Sequence, residues 1–253
     1  MNTQYETSFT QQDWERYALC YDRLNELTPY KDMLREVSGI LDRKDNEHVL
    51  DAACGTGNLT MRFSSGTTPL ITGCDYSAEM LARAKEKCGS SVQIVRANFN
   101  HPLPFADDSF DALACVNTLY AIDRPAHLLK EFFRVLKKGG RMVLVTPKAG
   151  YENGLILKEH CKSPKPDAHW ERVHLDPARE EARIREACGD TELSHDLILV
   201  GTWNRFIFAN SRFHFFTKEA LEDLIANSGF IINAHRMTYA HQCHLISVTK
   251  PVC

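Results

Sequence analysis

The stretch His48-Val49-Leu50-Asp51-Ala52-Ala53-Cys54-Gly55-Thr56-Gly57-Asn58-Leu59-Thr60 decides how this chain folds. It reads as a short apolar strand ending in a carboxylate, then a turn of small residues, then a helix start. Gly55 and Gly57 supply backbone that can approach a ligand where a Cβ would intervene. Asp51 falls at the carboxyl end of the strand, where the ligands of open α/β sheets lie. A nucleoside-containing cofactor is expected at this turn.

The spacing narrows the nucleoside. A dinucleotide fingerprint needs a third glycine where this chain has Thr60. The acid ahead of the glycines would repel a pyrophosphate and favour a cationic ligand. A second apolar run, Pro69-Leu70-Ile71-Thr72-Gly73-Cys74, ends in Asp75. That is the separation expected of an acid at the next strand end that grips ribose hydroxyls. One carboxylate for a positive head group and another for a ribose suit S-adenosylmethionine better than NAD.

Three further segments follow in order: Gly73-Cys74-Asp75-Tyr76-Ser77, Leu103-Pro104-Phe105 with Asp107-Asp108-Ser109-Phe110-Asp111, and Glu131 to Leu144 containing Arg134-Val135-Leu136-Lys137-Lys138-Gly139-Gly140-Arg141. With residues 48–60 they resemble the motifs of the class I S-adenosylmethionine-dependent methyltransferases, particularly the small-molecule group, over about residues 45–147. The resemblance implies a doubly wound, mostly parallel seven-stranded Rossmann-like α/β sheet with an antiparallel C-terminal strand. It implies S-adenosylmethionine as cofactor, held by Tyr21, Asp51, Ala53, Gly55, Gly57, Asp75, Tyr76, Met80, Asn98, Phe99 and Asn117. Two positions depart from the family pattern. Ala53 replaces a usual glycine, which is tolerated if its φ stays negative. Asn98 replaces an acid that contacts the adenine amino group, and its side-chain carbonyl can accept the same hydrogen bond.

Composition is consistent with a single domain over residues 1–253; the resemblance implies an N-terminal helical lid at 11–42, and residues 148–215, which leave the strand–helix alternation, read as an inserted cap. Hydrophobic residues make up 43% and charged residues 25%, as in ordinary globular proteins. A net charge of -3 gives no electrostatic reason to expect nucleic acid. No apolar run approaches the ~18 residues of a membrane span. Met1 to Glu6 lacks the basic and apolar regions of a signal peptide, so a cytoplasmic setting is expected. The nine cysteines include no C-x-x-C pair and read as reduced thiols, with Cys54, Cys74 and Cys115 as small buried fillers. His241-Gln242-Cys243-His244 reads as a polar edge strand rather than a metal site.

Along the chain, residues 11–42 read as helical, with Trp14, Tyr17, Leu24 and Leu27 at helical spacing and a break near Thr28-Pro29. Tyr17-Ala18-Leu19-Cys20-Tyr21-Asp22 resembles a lid element of the family, though Tyr17 and Tyr21 also suit an i, i+4 packing face. Short apolar runs at Val49–Asp51, Ile71–Gly73, Gln93–Val95, Ala112–Val116 and Met142–Val145 read as parallel strands. Helices are expected at 58–64, 77–88 with Ser77 as N-cap, and 125–137. Two strands, Phe230 to Tyr239 and His244 to Lys250, follow a last helix at Thr217 to Ser228. Within 148–215, helices are expected at Pro177 to Cys188 and Leu197 to Phe208. Trp170, Trp203, Phe206, Phe208, Phe213, Phe215 and Phe216 read mainly as core aromatics.

A sulfonium methyl is already activated, so the chemistry asks chiefly for alignment and water exclusion. A base is needed only if the acceptor must lose a proton. Tyr120 and His214 are the catalytic candidates, the histidine because it titrates near neutrality. His169, His174, His235 and His241 stand behind it. Asn117-Thr118-Leu119-Tyr120 lacks the two prolines carried by methyltransferases of base amines, which favours a small acceptor, methylated on oxygen or nitrogen. Two other readings stay open: an adenosylmethionine-binding enzyme that isomerises or cyclises without methyl transfer, and a non-catalytic binding subunit. The sequence sets no oligomeric state.

Overall fold

The structure, a computed structural model, describes residues 10–63, 70–209 and 212–252, without the Phe208 side chain. Met1 to Glu6, Ser64 at the end of an expected helix, Pro69 and Cys253 lie outside the described residues.

Strand β1 (His48–Ala52) sends Val49 to one apolar layer and Leu50 and Ala52 to another. The same alternation runs through β4 (Phe110–Val116) and β5 (Leu136–Pro147), where Ala112, Ala114, Val143 and Val145 face one layer. Leu113, Cys115, Met142 and Leu144 face the other. Strands apolar on both sides need cover on both sides, and period two distributes that apolar surface equally. Helix α2 (Thr28–Leu41) covers the first face through Met33, Leu34, Val37 and Leu41. Helices α5 (Pro125–Val135) and α9 (Lys218–Ala226) cover the second through Leu128, Phe132, Leu221 and Ile225.

With β2 (Leu70–Asp75), β3 (Val92–Arg96), β6 (Ile231–Thr238) and β7 (Cys243–Thr249), the sheet has seven strands in the order β3-β2-β1-β4-β5-β7-β6. All neighbours are parallel except β7, which runs antiparallel to both β5 and β6. Connections from β1 leave toward β2, while β4 lies on its other side. The crevice at this reversal, above the carboxyl ends of β1 and β4, is the place where such sheets bind ligands. The expected fold class is therefore what the chain adopts.

Several boundaries differ from expectation. The N-terminal helical stretch divides into α1 (Gln11–Tyr21), a 3-10 turn, and α2, with Pro29 in the first turn of α2 where its missing N–H costs nothing. Helix α3 shrinks to Thr60–Phe63, and β5 begins at Leu136, six residues early, because Leu136 pairs with Phe110 across a bulge. Ser77 caps α4 (Ala78–Cys88) by accepting the Met80 N–H. β7 is not an edge strand: it lies between β5 and β6, and Cys243 and His244 are buried. All eight described cysteines are free.

Residues 148–215 hold α6 (Asn153–Cys161), α7 (Pro177–Cys188) and α8 (Glu192–Ala209), which pack on one another and against α1 and α2. Trp170 is fully buried among them, and the buried Glu180 carboxylate pairs with Arg205. Phe206, read as core, is 44% exposed. No described helix is long and apolar enough to cross a membrane.

Candidate active site

The β1 turn is built around left-handed backbone. Ala53, Gly55 and Gly57 have φ of 59°, 55° and 83°. Ala53 therefore does not keep the negative φ expected of it, and its Cβ carries the strain a glycine would avoid. Gly55 faces the crevice, where an added Cβ would lie 3.6 Å from Tyr21 and 3.8 Å from the Met80 sulfur. Gly57 has a different task. Its missing Cβ admits Cys88 and Ala84 of α4 at 3.0 and 3.3 Å, so it serves helix packing and not ligand approach.

The two acids also part company. Asp75 lines the crevice and is held by backbone N–H donors, Gly55 at 2.9 Å to one oxygen and Ser77 at 3.0 Å to the other. Each oxygen keeps a lone pair for a diol. Enclosure raises its pKa, and the N–H donors oppose that rise. Asp51 is 2% exposed, does not line the crevice, and accepts the Thr60 hydroxyl at 2.5 Å. Burial, with a further push from the Asp75 charge, lifts Asp51 to about 7. It sits beneath the turn, and its oxygens do not reach the ligand space.

One cavity of about 400 Å³ runs from this turn to the face of the insertion, within the range of small-molecule sites. At the turn end it is lined by Tyr21, Ala53, Gly55, Asp75, Tyr76, Met80, Asn98, Phe99 and Asn117. Tyr76 has Arg96 over its ring at 5.5 Å. The Asn98 carbonyl oxygen accepts the Asn100 N–H at 3.0 Å and retains a second lone pair for an amine. Asn117, with φ 53°, turns the chain at the end of β4. These residues fit S-adenosylmethionine: a backbone cradle without a Cβ, an oriented carboxylate for ribose hydroxyls, and apolar walls for adenine.

The far end is aromatic. Tyr120 lines it, 5.7 Å from Phe215 in a stacked arrangement and 5.4 Å from Phe213 edge to face. Phe213 and Phe215, read as core, are thus cavity walls. His214 between them donates its backbone N–H to the Tyr120 carbonyl at 2.7 Å but does not line the cavity. Alternation along an extended segment directs 213 and 215 one way and 214 the other. Among the described residues no histidine lines the cavity: His169 pairs with Glu186, His235 lies between Glu222 and His244, and exposed His241 sits in the β6–β7 turn. His174 lies 3.7 Å from Glu152. Among the described residues no cluster of three metal-ligating side chains occurs.

Some lining residues escaped the sequence reading. Tyr151 follows β5 and Tyr239 follows β6, so only the fold brings them to this end. Asn204 of α8 accepts the Tyr17 hydroxyl at 3.4 Å. Glu15 of α1 reaches the N-terminus of α4, accepting the Ala78 and Glu79 N–H groups at 3.0 and 2.7 Å and the Ser77 hydroxyl at 2.7 Å. Asp22, beyond α1, accepts the Thr56 hydroxyl at 2.5 Å and Lys87 at 2.7 Å. The pairing of an acid at position 15 with a helix start at 78 has no local signature.

Comparisons with known proteins agree with this geometry. Residues 50–144 match the family described as methyltransferase domain. The O-methyltransferase resE of Aspergillus sclerotiorum is 29% identical over 164 residues, covering 63% of this chain and 59% of that protein. The ubiquinone/menaquinone biosynthesis C-methyltransferase UbiE of Geotalea daltonii is 37% identical over 106 residues, covering 40% of this chain and 45% of its own length. The chain thus spans about half the length of these curated relatives. A solved S-adenosylmethionine-dependent methyltransferase from Thermotoga maritima superposes with a TM-score of 0.59 at 18% identity, covering 95% of this chain and 99% of that one. The matched residues are the strands and the turn that build the cofactor end of the cavity, and over them the chain is similar to S-adenosylmethionine-dependent methyltransferases.

Proposed function

We propose that this protein transfers a methyl group from S-adenosylmethionine to a small-molecule acceptor, on oxygen or nitrogen. The observation that carries this reading is the Asp75 carboxylate, oriented by Gly55 and Ser77 in a cavity that continues into an aromatic chamber. Bound there, the cofactor supplies an activated methyl whose bonding pair returns to sulfur. The chain's own part is to hold, align and dry the reactants. Asp75 grips the ribose, Asn98 and Phe99 receive the adenine, and Asn117 meets the amino acid portion. Tyr120 and its aromatic neighbours position the acceptor and exclude water, which strengthens every polar contact inside. In this reading α1 and α2 are the lid, latched by Glu15 and Asp22, and residues 148–215 are the cap.

Calorimetry with S-adenosylmethionine, followed by turnover with labelled cofactor against a metabolite panel, tests the assignment. Asp75→Ala should weaken cofactor binding by about 2 kcal/mol or more, because its hydrogen bonds are charge-assisted. Unchanged affinity removes Asp75 from the site. Cofactor binding without release of S-adenosylhomocysteine across the panel favours an isomerase or cyclase, and failure to bind favours a non-catalytic subunit.

A further inference from the structure

Four tyrosines from four separate segments line the far chamber: Tyr17 of α1, Tyr120 after β4, Tyr151 after β5 and Tyr239 after β6. Burial pushes all four pKa values up, and Tyr17 and Tyr151 are raised further by the fields of neighbouring tyrosines. They are therefore protonated at neutral pH and act as donors. The Tyr151 hydroxyl stands near enough to Tyr239 to act as a donor to it, which opposes part of the rise in the Tyr239 pKa. Such a pair uses one hydroxyl proton internally and leaves the other to donate outward, polarised by the first bond.

The backbone under Tyr239 is an outlier. Tyr239, Ala240 and His241 have φ of 54°, 54° and 58°, three successive non-glycine residues in a conformation that L-residues normally enter singly. The turn is clamped by buried Gln242, which donates from Nε2 to the Ala240 carbonyl at 3.1 Å and accepts the Glu152 N–H at 2.8 Å. Glu152 follows Tyr151, so one side chain fixes the backbone beside both tyrosines. Strain held in this way marks places where a side chain must be aimed. The cavity's carboxylates among the described residues lie elsewhere, Asp75 at the glycine turn and Asp123 paired with Asn100, while Arg212 adds a positive charge to the lining.

We propose that Tyr151 and Tyr239, with Tyr120, form a subsite for a planar ring bearing an ionisable oxygen, a phenol or enol, in which the Tyr239 and Tyr120 hydroxyls donate to that oxygen as it becomes an anion and Tyr151 donates to Tyr239. This rests on the methyltransferase reading and names its acceptor class. Ring faces and aromatic walls fit the planar body. Neutral donors stabilise negative charge on the oxygen without a base, the proton passing to water as the acceptor binds.

The test is equilibrium binding of 4-nitrophenol to the protein saturated with S-adenosylhomocysteine, followed by the visible absorption of the phenolate. Nitrobenzene serves as the matched ring without the hydroxyl. The wild type should bind 4-nitrophenol as the anion. Tyr239→Phe and Tyr151→Phe should each weaken it about tenfold or more, with nitrobenzene affinity unchanged. Equal losses for both probes reduce the tyrosines to shape and overturn the proposal. So does tighter binding of phenyltrimethylammonium, or no binding of 4-nitrophenol to protein that holds S-adenosylhomocysteine. Failure to hold S-adenosylhomocysteine instead overturns the cofactor reading, and this proposal with it.

Discussion

Raising the pH through neutrality should destabilise this fold through one carboxyl group, Asp51. The group is 2% exposed, and burial lifts its pKa from 3.8 to about 7. The folded state therefore holds a proton that the unfolded chain has already released. A raised folded pKa contributes stability that is complete below the unfolded value and lost as pH rises through the folded value. The window runs from about pH 4 to about pH 7, and a shift of about three units corresponds to roughly 4 kcal/mol. Asp51→Asn mimics the protonated acid, with a carbonyl that still accepts from Thr60 and an amide that does not ionise. Urea unfolding across this range should show wild-type stability falling relative to Asp51→Asn by roughly that amount. Asp75 is common to both proteins, so its contribution cancels in the difference apart from its coupling to the Asp51 charge. Parallel pH profiles would refute the buried-proton account and place Asp51 in contact with water.

Other consequences are local. Ala53→Gly relieves a left-handed alanine and should raise stability by about 0.5–1 kcal/mol, the gain in the folded turn exceeding the entropy added to the unfolded chain; a lower urea midpoint would contradict this. Glu15→Ala removes the acceptor that joins α1 to the start of α4. It should cost about 1 kcal/mol, speed amide hydrogen exchange across α1 and shorten the residence of S-adenosylhomocysteine. Exchange in α1 at the wild-type rate would mean that this helix is held by its apolar face alone.

Legibility tracked the range of the interactions involved. Asp75 was readable because a strand end, a fixed interval and a carboxylate are all local, and the structure places it in the cavity with its lone pairs presented. Gly57 shows the limit of the same logic. A glycine in a motif announces close approach, but only the position of α4 reveals that the approaching group is a helix. His214 carried a chemical argument of side-chain type and lost it to geometry, since residues of an extended segment alternate and its neighbours took the inward positions. Tyr151 and Tyr239 had no signature at all, being brought together by the antiparallel return of β7 between β5 and β6.

By itself the chain's pattern determined the sheet, its handed order of strands and helices, and the cofactor end, because strand periodicity, turn backbone and strand-end carboxylates act over a few residues to a few tens. Tertiary structure alone decided which acid lines the cavity, which glycine faces it, and what lines its far end. Those outcomes depend on contacts between segments as distant as Tyr17 and Asn204, and no local spacing encodes which face of each segment the packing leaves open.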